Sequence, residues 1–106
     1  MEMNIKQQND KLYIALSGEI DHHSIKEIRD KIDNTILTHV PKELYLDLEQ
    51  IDFMDSSGLG LVLGRMRIIN SIGGKLFVQN PSSRIFTILH LAGVDKLLQV
   101  VYKKEA

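Results

Sequence analysis

Between Leu44 and Ile69 the spacing of apolar residues changes from two to between three and four. Leu44-Tyr45-Leu46-Asp47-Leu48 alternates apolar and polar and reads as a strand. Leu59, Val62, Leu63, Met66 and Ile69 recur at helical spacing. Asp55-Ser56-Ser57-Gly58 lies between them, a strand-to-helix turn in which either serine can cap the helix. The serines then stand at the positive end of a helix dipole, where backbone N–H groups lack partners. Such an end suits a phosphate, whether bound or covalently attached.

The rest of the chain arranges itself around that turn. Met3 to Gln7 is a candidate short strand with Asn9-Asp10 as its turn. Leu12 to Leu16 is a nearly continuous apolar run, as expected of a strand buried on both faces and ended by Gly18. A helix follows from about residue 23, with Ile25, Ile28, Ile32 and Ile36 as its inward stripe and Pro41 as its stop. Ser24 and Glu27 have the spacing of a capping box, with Asp21 as a competing cap. The central helix starts near Ser57 and stops at Gly73-Gly74. Leu76-Phe77-Val78 is a strand, and Asn80-Pro81-Ser82 opens a helix with Ile85, Ile88, Leu89 and Leu91 inward. Val94 to Leu98 reads as a further helical turn, and Gln99 to Tyr102 as a last strand.

This order, β-β-α-β-α-β-α-β, predicts one α/β domain over residues 1–106. The sheet is expected to be mixed, mostly parallel, of about four or five strands with three or four helices, and its first strand antiparallel. The expected inward residues are Ile14, Leu16, Ile28, Ile32, Leu46, Leu48, Leu59, Val62, Leu63, Met66, Phe77, Val78 and Leu89. In parallel sheets, sites form beyond the carboxyl ends of the strands. Glu19, Asp21, Asp52, Asp55, Ser56 and Ser57 are therefore expected on one rim.

The central helix carries a second apolar stripe, Leu61, Ile68 and Ile72, beside Gly60 and Gly64. Two covers suit it. One is a neighbouring helix, with the glycines permitting close approach; the other is a docking partner. Leu61 is the residue that separates these readings.

Charge is uneven: residues 1–57 hold 12 acids against 6 bases, and residues 58–106 hold 2 acids against 7 bases. The later bases are scattered singly apart from Lys103-Lys104, so no nucleic-acid stripe forms. Cysteine is absent, which excludes a disulfide framework. No apolar run approaches the ~20 residues of a membrane span, and Met1-Glu2-Met3-Asn4 does not begin a signal peptide. The expectation is a cytoplasmic chain that engages neither nucleic acid nor membrane.

Enzyme and cofactor motifs fail on spacing. Gly58-x-Gly60-x-x-x-Gly64 is one residue too long for a dinucleotide loop, and Gly73-Gly74-Lys75 is followed by Leu76 rather than a Walker serine. Ser56 and Ser57 have Met54 and Asp55, not glycine, two residues earlier, so neither sits on a nucleophile elbow. A Ser–His–Asp arrangement remains open through His22, His23, His39 and His90. Asp21 with one of His22-His23, and acid pairs such as Asp52 with Asp55, are metal-binding candidates; the histidines read better as exposed helix-start residues and the acids as solvated loop residues and caps.

Phe53-Met54-Asp55-Ser56-Ser57-Gly58-Leu59-Gly60, with Gly18-Glu19-Ile20-Asp21-His22-His23 upstream and Gly73-Gly74 downstream, resembles the STAS domains of anti-sigma-factor antagonists. The likeness runs from about Lys11 to Leu98. It implies a non-enzymatic domain, monomeric when free, that binds an anti-sigma factor which is itself a serine kinase. The unphosphorylated antagonist frees the sigma factor. Phosphorylation, which maps onto Ser56, inactivates it, and a serine phosphatase restores it. ATP and Mg²⁺ would belong to the kinase; the chain would carry no cofactor or metal of its own. Asp21, Asp55, Ser56, Ser57, Gly58, Leu59, Gly60 and Leu61 map onto the partner-contacting rim. Family members often continue into a final helix, where this chain has Lys103-Lys104-Glu105-Ala106. A STAS module without kinase control, serving as a scaffold or binding a nucleotide directly, is the alternative.

Overall fold

The computed structural model describes residues 1–103; residues 104–106, where the final-helix question falls, lie outside the described residues. Strands β1 (Glu2–Gln8), β2 (Lys11–Ile20), β3 (Glu43–Met54), β4 (Lys75–Gln79) and β5 (Gln99–Val101) form one sheet in that spatial order. Helices α1 (Ile25–His39), α2 (Ser56–Ser71) and α3 (Ser83–Leu91) connect the parallel strands, and a 3-10 turn, Val94–Lys96, precedes β5. β1 pairs antiparallel with β2, and all later pairs are parallel. The predicted order and all three helix starts hold to within two residues.

Spatial order equals chain order, so each right-handed crossover steps in the same direction. That stacks the helices on one face. Leu12, Ile14, Leu16, Leu44, Leu46, Leu48 and Val78 from the sheet meet Ile28, Ile32, Ile36, Val62, Ile69, Ile85 and Leu89 from the helices in one core.

The opposite face has no helix among the described residues. There Tyr13, Tyr45 and Phe77 stack ring on ring across three strands, with centroids 4.8 Å apart, and the Lys103 ammonium sits 4.3 Å from the Tyr45 ring. This corrects two expectations. β2 is buried on one face only, and Phe77 belongs to this aromatic ladder rather than to the helix-side core. Nor does Gly18 end β2. It takes φ +108° inside the strand, between two register shifts, and β2 runs on to Ile20. Leu91, expected inward, is 80 % exposed at the last residue of α3. No helix among the described residues is long and apolar enough to cross a membrane.

Candidate functional site

β2 and β3 end side by side, with Ile20 opposite Met54 and the Asp55 N–H donating to the Ile20 carbonyl at 3.2 Å. Asp21 and Asp55 therefore follow neighbouring strands onto one rim, as expected. β4 stops opposite Asp47, seven residues before β3 does, so the start of α3 lies lower than this rim.

Each aspartate opens a helix. The Asp21 carboxylate accepts the N–H groups of His23 and Ser24, both at 3.0 Å. The Ser24 N–H does most to hold the Asp21 carboxyl below the usual carboxylate range. Ser24 makes no side-chain cap, so the capping box with Glu27 does not form; its hydroxyl turns back to the Glu19 carbonyl at 3.2 Å. Asp55 is the N-cap of α2, its carboxylate accepting the Ser57 N–H at 2.8 Å. The Gly58 N–H donates to the Asp55 carbonyl at 3.0 Å.

These bonds correct the reading of the serines as caps. An aspartate already occupies the positive end of α2, so that end is not an open anion hole. Ser56 and Ser57 are the first two helical residues. Ser56 is exposed and Ser57 half-buried, and neither hydroxyl has a hydrogen bond among the described residues. Ser57 is thus not a cap held by its hydroxyl, and Ser56 is the better presented of the two.

Gly58 is where α2 meets the sheet. A Cβ there would run into the Met54 side chain and come within 3.3 Å of Ile20 Cγ2. At Gly60 and Gly64 a Cβ would meet nothing within 4 Å, so those glycines do not permit any close approach. The helix is turned accordingly. Its buried line is Gly58, Leu61, Val62, Arg65 and Ile69, with Leu59, Leu63 and Met66 half-buried along one flank. Leu61 is 2 % exposed and belongs to the core, so its side chain is withdrawn from the partner surface. Leu59 and Gly60 remain reachable.

α1 supplies the cover. Arg65 on α2 is 5 % exposed, and its Nε lies 2.7 Å from Asp33 Oδ1 on α1. Burial pushes the Asp33 carboxyl up and the Arg65 guanidinium down, against their mutual attraction. The sequence reading missed this pair, because an arginine at position 65 makes a buried face look polar.

Among the described residues no three His, Cys, Asp or Glu side chains gather as metal ligands. His22 and His23 are exposed at the rim, with rings 5.7 Å apart and edge-on. His90 pairs with Asp95 at 2.8 Å in the last turn of α3, at the opposite end of the sheet from the serines.

The STAS domain family matches residues 2–106. An anti-sigma F factor antagonist of Lysinibacillus sphaericus is 37 % identical over 93 residues, covering 88 % of this chain and 80 % of that protein. The solved structure of the anti-sigma factor antagonist SpoIIAA in its unphosphorylated form superposes with a TM-score of 0.84 at 31 % identity, covering 98 % of this chain and 90 % of the other. SpoIIAA of Bacillus in the phosphorylated form gives 0.77 at the same identity, covering 98 % and 93 %. With the fold, the capped serine turn and these likenesses in agreement, the chain belongs to the STAS domain family, among its anti-sigma factor antagonists.

Proposed function

We propose that this chain is a phosphorylation-switched antagonist of an anti-sigma factor, with Ser56 as the switch. Unphosphorylated, it binds an anti-sigma factor that is a serine kinase and so frees a sigma factor. The kinase, bringing its own ATP and Mg²⁺, transfers a phosphoryl group to Ser56, and a serine phosphatase removes it.

The observation that carries this reading is the exposed Ser56 hydroxyl, one residue beyond a helix cap already filled by Asp55. Phosphoryl transfer requires a free hydroxyl that can be brought in line with the donor. Phosphate adds about −1.5 to −2 charges at neutral pH. Beside the Asp55 carboxylate it cannot take the helix cap, so it projects into the docking surface. There it opposes binding by repulsion and by the cost of desolvating it. The domain itself has no reason to unfold.

Incubation with radiolabelled ATP tests the reading. Label is expected only when the anti-sigma factor of the same organism is present. Turnover of ATP by the purified chain alone would point to an enzyme instead. Ser56→Ala should bind the kinase and stay bound through ATP addition, whereas Ser56→Asp should fold and bind poorly.

A further inference from the structure

Of the two strands at the edges of the sheet, β1 is the longer. It pairs with β2 on one side only, in a register unbroken from Glu2 to Gln8. The backbone N–H and C=O groups that point away from β2 have no partner among the described residues. Open edges of this kind template pairing with another strand, and proteins ordinarily blunt them with proline, bulges or very short strands. β5, at the other edge, is three residues long. β1 has seven residues, no proline and no bulge.

The side chains of β1 complement themselves. Read antiparallel about Asn4, the strand sets Glu2 against Lys6 of a second copy, Met3 against Ile5, and Asn4 against Asn4. The two faces sort in the same register. Glu2, Asn4 and Lys6 stand opposite Ser17, Ala15 and Tyr13, on the sheet face without helices. Met3 and Ile5 stand opposite Leu16 and Ile14, on the core face. Within the single chain Glu2 and Lys6 make no ion pair among the described residues, and Ile5 is 41 % exposed. Twofold pairing gives each acid a base and each Ile5 a Met3, cross-strand contacts that stabilise a sheet. Sliding the second copy by two residues sets Glu2 against Gln8 and Lys6 against Asn4, and both charge pairs are lost. Sliding it by one sets the core face of one copy against the open face of the other.

We propose that two copies of this chain associate edge to edge through β1, antiparallel about Asn4, into one continuous sheet. Three strand spacings, about 14 Å, then separate β2 from its copy. The α1 helices that pack on them do not collide, since packed helices need only about 8–10 Å. The twofold closes the association at a dimer, because both long edges are used up. A single strand edge falls below the roughly 1,200 Å² of a standard interface, so the dimer forms when the chain is concentrated and dissociates on dilution. The two switch rims, at the carboxyl ends of β2 in each copy, point in opposite directions, and both Ser56 hydroxyls stay open. The pairing is therefore independent of the reading given under Proposed function.

Charge reversal tests it, read by sedimentation equilibrium from micromolar to millimolar concentration beside thermal melting. The parent's average mass should rise toward twice that of the monomer and no further. Glu2→Lys alone, and Lys6→Glu alone, place like charges at both pairs, and each should weaken self-association about tenfold. An equal mixture of the two variants should associate like the parent, because the two cationic positions of one copy then face the two anionic positions of the other. All variants should melt within roughly 2 °C of the parent, as for surface substitutions. Ser56→Asp should pair as the parent does. A parent that stays monomeric at millimolar concentration overturns the proposal, and if Glu2→Lys then weakens binding of the anti-sigma factor, the edge belongs to that partner instead. Association that ignores the single reversals, is not restored in the mixture, is lost in Ser56→Asp or grows beyond the dimer uses another surface or register, and overturns it too.

Discussion

The two halves of β3 do different work. From Glu43 to Asp47 the strand has a neighbour on each side, its register is unbroken, and Leu44 and Leu46 are fully buried. From Leu48 to Met54 it pairs with β2 alone, bulges twice, and leaves Glu49, Gln50, Asp52 and Phe53 exposed. The first half is fixed by two ladders and a core, and the second is free to aim side chains at a rim. Burial is concentrated where the strand is sandwiched, and the proposed switch surface lies where one neighbour stops short.

The sharpest break of this contrast is a truncation in the sandwiched half. Leu46→Ala should cost about 2–5 kcal/mol, the range for a buried leucine, measured by urea denaturation. A loss below about 1 kcal/mol would mean that the lower half is not the anchor it looks to be.

Next in size is the contact that seats α2 on the end of β3. Gly58→Ala forces the added methyl against Met54, and overpacking of this kind costs about 1–3 kcal/mol. The same change at Gly60, where the space is open, should be neutral or stabilising by up to about 1 kcal/mol. If the two variants melt alike, the close approach at Gly58 is wrong.

Smaller again is the cap. Asp55→Ala removes the acceptor of the Ser57 N–H and should cost about 1 kcal/mol. Ser57→Ala, whose hydroxyl does not cap, should cost less. The reverse ranking would restore the serine as the cap.

The smallest effect is one of pH. The Asp21 carboxyl is held below its ordinary range, first by the Ser24 N–H and then, against desolvation, by the His23 N–H. A carboxyl lowered on folding stabilises fully above its unfolded pKa, and that stability disappears as pH falls through the folded value. Melting temperatures followed downward from about pH 5 should therefore drop less steeply in Asp21→Asn than in the parent. Equal slopes would show that these N–H bonds do not favour the ionised carboxylate.

What the sequence made legible follows the same division. The change of hydrophobic period at Leu48 to Leu59, the helix starts and the parallel order were readable because local pattern decides them. The face of α2 was not. That helix has apolar residues around most of its circumference, and its orientation is set by the Gly58–Met54 contact and by the Arg65–Asp33 pair with α1. Both depend on chain folded next to it rather than on its own period. Leu61, which the second stripe leaves open to either cover and the family resemblance maps onto the partner rim, is buried in the core. The bulges were equally hidden, since only the three-residue spacing of Leu48, Ile51 and Met54 betrays them. The aspartates and serines of the rim were legible, but the division of labour between them was not. Asp55 can reach the Ser57 N–H, and which side chain caps depends on a backbone geometry that sequence does not print.

The most direct measurement is the location of the phosphate. After incubation with the anti-sigma factor of the same organism, the proposed kinase, and ATP, peptide mass spectrometry should find one phosphate, on Ser56, and none in Ser56→Ala. Phosphate on Ser57, or phosphate retained in Ser56→Ala, would contradict the assignment of the exposed first serine as the switch.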